Sequence, residues 1–150
     1  LDLLEGEEVA IEFRNRNWAE GERLAQVTEF LRARGAALVS VDTPQENHFT
    51  IMPPALDEIT NPSFAYLRLH GRDARAYTTG KTVAARFNYD YSDAEISEVA
   101  KRAKALAKEA EQVHVVFNNN ALDYAPHAAL RLRKVLREIA SLPPRQAELL

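Results

Sequence analysis

The stretch "FAYLRLHGR", residues 64–72, decides the fold. Its first seven residues alternate as a β-strand does. Ala65, Leu67 and Leu69 share one side; Tyr66, Arg68 and His70 share the other. One face is uniformly apolar, and the other carries a cation and an imidazole near the strand's C-terminal end. A sheet covered by helices on both sides needs both phases apolar. A (β/α) barrel needs only its outer phase apolar, and its inner phase turns polar at the mouth, where such barrels carry their sites.

Three more runs divide in the same way: "EVAIEF" (8–13), "AALVSVD" (36–42) and "VHVVFN" (113–118). With the first strand they give an apolar phase of Val9, Ile11, Phe13, Ala37, Val39, Val41, Val113, Val115 and Phe117. The opposite phase is mixed, and Glu12, Arg14, Asp42, Arg68, His70 and Asn118 fall at its C-terminal ends. This reading sets Asp42 in the lumen beside Arg68 and His70. An Asp42 facing the helices would contradict it, because a one-residue slip turns every side chain over.

Helical periodicity fills the intervals. Residues 20–35 place Leu24, Val27, Phe30 and Leu31 on one stripe, and Gly35 suits a C-terminal cap. Residues 92–110 open on a Ser92/Glu95 capping box and line up Ile96, Val99, Ala103 and Leu106. Residues 126–140 have Pro126 in the first turn and Leu132, Val135, Leu136 and Ile139 inside, and Pro143 and Pro144 stop the helix. Residues 43–63 and 71–91 are long connections, either functional loops or hosts of a short helix each.

The alternation of strands and helices argues for a parallel sheet with right-handed crossovers. The expected class is α/β, a TIM-type (β/α) barrel. A doubly wound sheet is the alternative, and it too binds ligands at strand C-termini. Four strands do not close a barrel of eight. The 150 residues are therefore expected to form a single domain, roughly a half barrel and a piece of something longer, with a tail at 143–150.

Composition narrows the function classes. Hydrophobic residues make up 46% and charged residues 27%, as in ordinary globular proteins. A net charge of −3 does not describe a polycation for nucleic acid, although a local basic patch is compatible with it. The absence of cysteine excludes disulfides and thiolate–metal sites and suits a cytoplasmic location. No apolar run approaches the roughly 18 residues of a membrane span, so no membrane partner is expected. No Gly-rich phosphate loop or G-x-S-x-G elbow is present.

Four motifs, "EFRNRNW" (12–18), "FAYLRLHGR" (64–72), "RFNYDYSDAEI" (86–96) and "VHVVFNNNALDYAPHAALRLRKVL" (113–136), resemble the YecE-like family, domain of unknown function 72. The resemblance covers nearly the whole chain. It implies a TIM-type barrel about twice this length, of which this chain is the C-terminal half. It also implies that the recurring polar positions are Glu12, Arg14, Trp18, Asp42, Tyr66, Arg68, His70, Gly71, Phe117, Asn118 and Asn119. Many relatives carry His where this chain has Asn15, so a mechanism needing an imidazole there fails here. The family brings no settled activity, and the fold alone supplies none.

The residue types suggest chemistry directly. Arg14 and Arg68 suit bidentate capture of phosphate or carboxylate. Tyr66, Asn118 and Asn119 complete the expected ligand-binding set. His70 suits proton transfer near neutral pH. Glu12 and Asp42 are candidates to orient it, and all three are the catalytic candidates. The opposing reading is a satisfied salt-bridge network in which Glu12 neutralises an arginine. Glu12, Asp42 and His70 also have ligand types suited to a divalent cation. The arginines oppose one, however, and no HxH or HExxH spacing occurs, so no metal is expected. No cofactor is indicated.

His48 and His127 offer no argument for chemistry, and His114 is expected to pack. The 71–91 loop interleaves cations with Tyr77, Phe87, Tyr89 and Tyr91, which suits base stacking or, better, packing over the barrel mouth. Arg131, Arg133, Lys134 and Arg137 read as a solvated face.

Two functions follow. One is an enzyme acting on a phosphorylated or otherwise anionic substrate, small molecule or nucleic acid. The other is a non-catalytic anion- or nucleic-acid-binding module. The half barrel is expected to need its N-terminal half or to self-associate.

Overall fold

The strands β1 (Ala10–Ile11), β2 (Ala37–Asp42), β3 (Phe64–Leu69) and β4 (Gln112–Phe117) pair in parallel in that order. The structure, a computed structural model, describes residues 1–4, 6–53 and 56–136. The helices are α1 (Glu22–Arg32), α2 (Ala74–Thr79), α3 (Val83–Arg86), α4 (Asp93–Leu106) and α5 (Tyr124–Leu136). The sheet is not closed. Among the described residues, β1 and β4 each have one neighbouring strand.

Local chemistry sets the helix limits. The Ser92–Glu95 capping box forms as expected and starts α4. At the end of α1, Gly35 takes φ 60°, and the Ala36 N–H returns to the Leu31 carbonyl at 3.0 Å. Only glycine enters that left-handed turn without strain. The 71–91 connection holds two short helices, capped by Asp73 and Thr82. The 43–63 connection holds no helix among its described residues.

The main core lies between β3–β4 and α4–α5. Ala65, Leu67 and Leu69 pack on Ile96, Val99, Ala100 and Leu106 of α4 and on Ala128 and Leu132 of α5. A smaller cluster sets Leu31 of α1 against Leu38, with Ile11 and Val27 beside it. Two expected core positions are exposed. Phe30 lies under the Arg34 guanidinium, 3.9 Å from its ring centroid, and Val135 faces solvent. Ile139, Arg137, Pro143, Pro144 and the 143–150 tail lie outside the described residues.

One strand is turned over from its expected phase. Val39 pairs with Tyr66 and Val41 with Arg68, while Ser40 pairs with Leu67 and Asp42 with Leu69. Paired residues of parallel strands share a face. Ala37, Val39 and Val41 therefore face the lumen side, and Leu38, Ser40 and Asp42 face the helices. The lumen assignment fails on β2, Asp42 included. On β1, β3 and β4 it holds: Ala10 shares a face with Ala37, Tyr66 with His114, and Arg68 with Val116.

Candidate functional site

Beyond β1, the Glu12 carboxylate reaches across the lumen side to the end of β3. One oxygen accepts from Arg14 Nε at 2.9 Å and meets His70 Nε2 at 3.1 Å. The other oxygen accepts from Arg68 Nη1. His70 follows β3 directly, and its backbone N–H bonds the Asp42 carbonyl at 2.9 Å, which fixes where the ring begins. The ring is 1% exposed. Asn118, just past β4, sets its side-chain amide 3.2 Å from His70 Nδ1.

Burial alone would raise the Glu12 carboxyl. The hydrogen bond and charge of His70, followed by the charges of Arg14 and Arg68, more than offset this and hold it at about 2. Two guanidiniums on one carboxylate leave an excess of positive charge at the strand ends.

His70 is roofed by the 71–91 connection. Its ring lies 5.4 Å from Phe87 and 6.2 Å from Tyr77. Burial pushes the Tyr77 phenol up. Tyr77 and Phe87 also line a cleft of about 440 Å³ together with Arg14, Arg86, His48 and Phe49. Among the described residues, no carboxylate lines it. Arg86 is anchored through Nε to the Gly80 carbonyl at 2.7 Å, as Arg14 is through Nε to Glu12. The Nη groups of both arginines have no partner among the described residues.

The structure brings together Glu12, Arg14, Arg68, His70 and Asn118. Tyr66 lies deeper on the same face, stacked on His114 with ring centroids 5.7 Å apart, although His114 itself is exposed. Asn119 is buried, but among the described residues neither of its amide atoms has a hydrogen-bond partner, and it does not line the clefts that hold Arg14 or Glu12. Phe117 belongs to the helix-side core, and half-exposed Trp18 packs on Phe13. Asn15 caps the short turn Arg16–Ala19.

Asp42 does not join the cluster. It lies under α4 and accepts a bidentate pair from Arg72, at 2.9 and 3.0 Å. Arg102 Nη1 adds a bond at 3.1 Å and the Tyr91 hydroxyl another at 2.8 Å. Arg102 also grips Asp57 with two bonds. The Asp42 carboxylate is thus satisfied as a structural group, and Glu12, Asp42 and His70 do not converge on one cation. Arg131, read from sequence as solvated, bonds Asp90, Asp93 and the Tyr91 carbonyl.

Sequence reasoning missed Arg86, His48 and Phe49 as cleft residues. The cations and aromatics of 71–91 were the available signal for Arg86. His48 and Phe49 come from the proline-rich 43–63 connection, where no periodicity marks a face.

Against known proteins, residues 1–148 match the family model described as "Protein of unknown function DUF72". The UPF0759 protein YunF of Bacillus subtilis is 30% identical over 145 residues, covering 93% of this chain and 51% of that protein. A DUF72 family protein of Enterococcus faecalis (EF0366) superimposes with a TM-score of 0.85 at 30% identity, over 95% of this chain and 52% of that one. Another, from Thermotoga maritima (TM1631), gives 0.76 at 31% identity, over 89% of this chain and 47% of that one. This chain spans about half the length of these relatives.

Proposed function

This chain belongs to the DUF72 family of proteins of unknown function, and we propose that its strand ends bind a small anionic ligand of the phosphate or carboxylate class. One observation carries the reading. Arg14 is tethered through Nε to Glu12 while both its Nη groups remain unspent, in a cleft lined by a second arginine and by no carboxylate. A guanidinium held by one nitrogen is pre-oriented, and its remaining fork matches two oxygens of an anion. Arg68 adds a second cation on the same carboxylate, with its side chain 30% exposed.

His70 supports binding more than proton transfer. Both its ring nitrogens are engaged, by Glu12 and Asn118, and the ring is closed off beneath Phe87. In this arrangement it positions Glu12, which in turn sets the two arginines. The second reading is an enzyme using His70 as acid or base. The imidazole–carboxylate pair with Glu12 favours it, since such a pair is a common acid–base device.

Calorimetric titration of inorganic phosphate into the wild-type chain and Arg14→Met tests the binding reading. Arg14 is 53% exposed and its ion pair is a surface one, so the variant folds. Saturable heat in the wild type that weakens with added salt and is lost in Arg14→Met supports the site. The same isotherm for both proteins refutes it.

A further inference from the structure

The two arginines share their cleft with an aromatic wall that the binding of a bare anion does not use. Phe49 is 63% exposed, yet its backbone is tied down. The Arg16 N–H donates to the Phe49 carbonyl at 2.8 Å, and Arg16 Nη1 reaches the Glu46 and Ile51 carbonyls on either side. The His48 ring lies 4.6 Å from the Phe49 ring at a tilt of 35°. His48 Nδ1 accepts from the Thr50 N–H at 3.3 Å and meets the Thr50 hydroxyl at 2.8 Å. Across the cleft, Tyr77 and Phe87 stand edge to face, centroids 6.2 Å apart, backed by buried His70.

An exposed phenyl on a pinned backbone leaves apolar area in water, and a flat ring recovers it by stacking. The cleft volume of about 440 Å³ lies within the range of small-molecule sites, roughly 300–1,000 Å³. With Arg14 and Arg86 on the same lining and no acid, the wall asks for a ligand apolar and flat at one end and negative at the other. We infer that the ligand is a small aromatic anion, a phosphate monoester or a carboxylate bearing a planar ring. Its ring would lie on Phe49 and its charge against Arg14 and Arg86. The inference rests on the anion reading above and adds the substrate class.

The test compares three probes by calorimetry on the same chain: inorganic phosphate, cyclohexyl phosphate and phenyl phosphate. Phenyl phosphate is expected to bind about tenfold tighter than inorganic phosphate, consistent with one stacked ring. Cyclohexyl phosphate should fall between them. Phe49→Leu keeps the site apolar but removes the flat face, and it should erase the preference for phenyl over cyclohexyl phosphate. Phe49→Ala should remove the advantage of phenyl phosphate over inorganic phosphate, both probes being measured on the same variant. Equal affinity for phenyl and inorganic phosphate in the wild type overturns the aromatic assignment and leaves the anion site standing. No binding of any probe overturns both.

Discussion

Asp42 and Arg102 meet beneath α4, Oδ1 to Nη1 at 3.1 Å, on the face of the sheet opposite Glu12 and His70. The pair joins β2 to α4, and through Arg102 and Asp57 it also holds the 43–63 connection. Removing one member of a buried ion pair leaves the other charge uncompensated, a cost of about 3–5 kcal/mol. Arg102→Met is therefore expected to lower unfolding stability by about 3 kcal/mol in urea denaturation, since Arg72 and Tyr91 still bond Asp42. Phosphate affinity should not change, because the pair faces away from the cleft. A stable variant that had lost phosphate affinity would put Asp42 back into the site.

Glu12 makes the lumen-side cluster sensitive to pH. Its carboxyl ordinarily titrates near 4.5 and is held at about 2 in the folded chain. A depressed carboxyl contributes stability that is complete above its unfolded pKa and disappears as pH falls through the folded one. The contribution is at most about 3.5 kcal/mol, at about 1.4 kcal/mol per unit. The stability gap between wild type and Glu12→Gln should narrow between about pH 5 and pH 2. A gap constant over that window would mean that the ion pairs do not hold Glu12.

Gly71 links the end of β3 to the roof of the site at φ 91°. A Cβ there would lie 2.6 Å from Tyr89 Cβ, whereas one at Gly35 would meet nothing within 4 Å. Both substitutions by alanine strain a left-handed backbone, at about 1 kcal/mol each. Gly71→Ala adds the clash and should cost roughly 1–3 kcal/mol more, as overpacking does. Equal midpoints for the two variants in a urea melt would show that Tyr89 yields freely.

His70→Gln separates the two functional readings. Glutamine retains an amide donor for Glu12 but cannot shuttle a proton. Phosphate affinity within about threefold of wild type is expected if His70 only positions its neighbours, given that a neutral hydrogen bond contributes about 1 kcal/mol. Loss of phosphate affinity beyond about tenfold in His70→Gln would contradict a positioning role and favour direct participation of His70.

The parallel sheet was legible in the sequence because β3 and β4 each carry one clearly apolar phase. The start of α4 was legible from Ser92 and Glu95. β2 was not, for a physical reason. All six of its residues are buried, so neither face is marked by exposure, and the polar Ser40 and Asp42 lie on the helix side. Asp42 drew it the wrong way because its partners lie far off in sequence. The one available hint was Arg102, which interrupts the buried stripe between Val99 and Leu106 and so had to meet an acid beneath the helix. The convergence of Glu12, Arg68, His70 and Asn118 was readable from strand phase alone. The short helices α2 and α3 were not, because six and four residues are too few to establish a period. Their caps, Asp73 and Thr82, were the only signal.

Arg68 tests the central claim most directly: it lies outside the lining that Arg14 and Arg86 share, but it is the other cation on Glu12, and the proposed strand-end site includes it. Urea stability and inorganic phosphate affinity should be measured together for wild type, Arg68→Lys and Arg68→Met. A charge-assisted contact is worth about 1.5–3 kcal/mol, so Arg68→Met should weaken phosphate about 10–150-fold. Lysine should restore only part of that, because a point charge lacks the guanidinium fork. Unchanged phosphate affinity with lowered stability in Arg68→Met would contradict the account and leave Arg68 as no more than the counter-charge of Glu12.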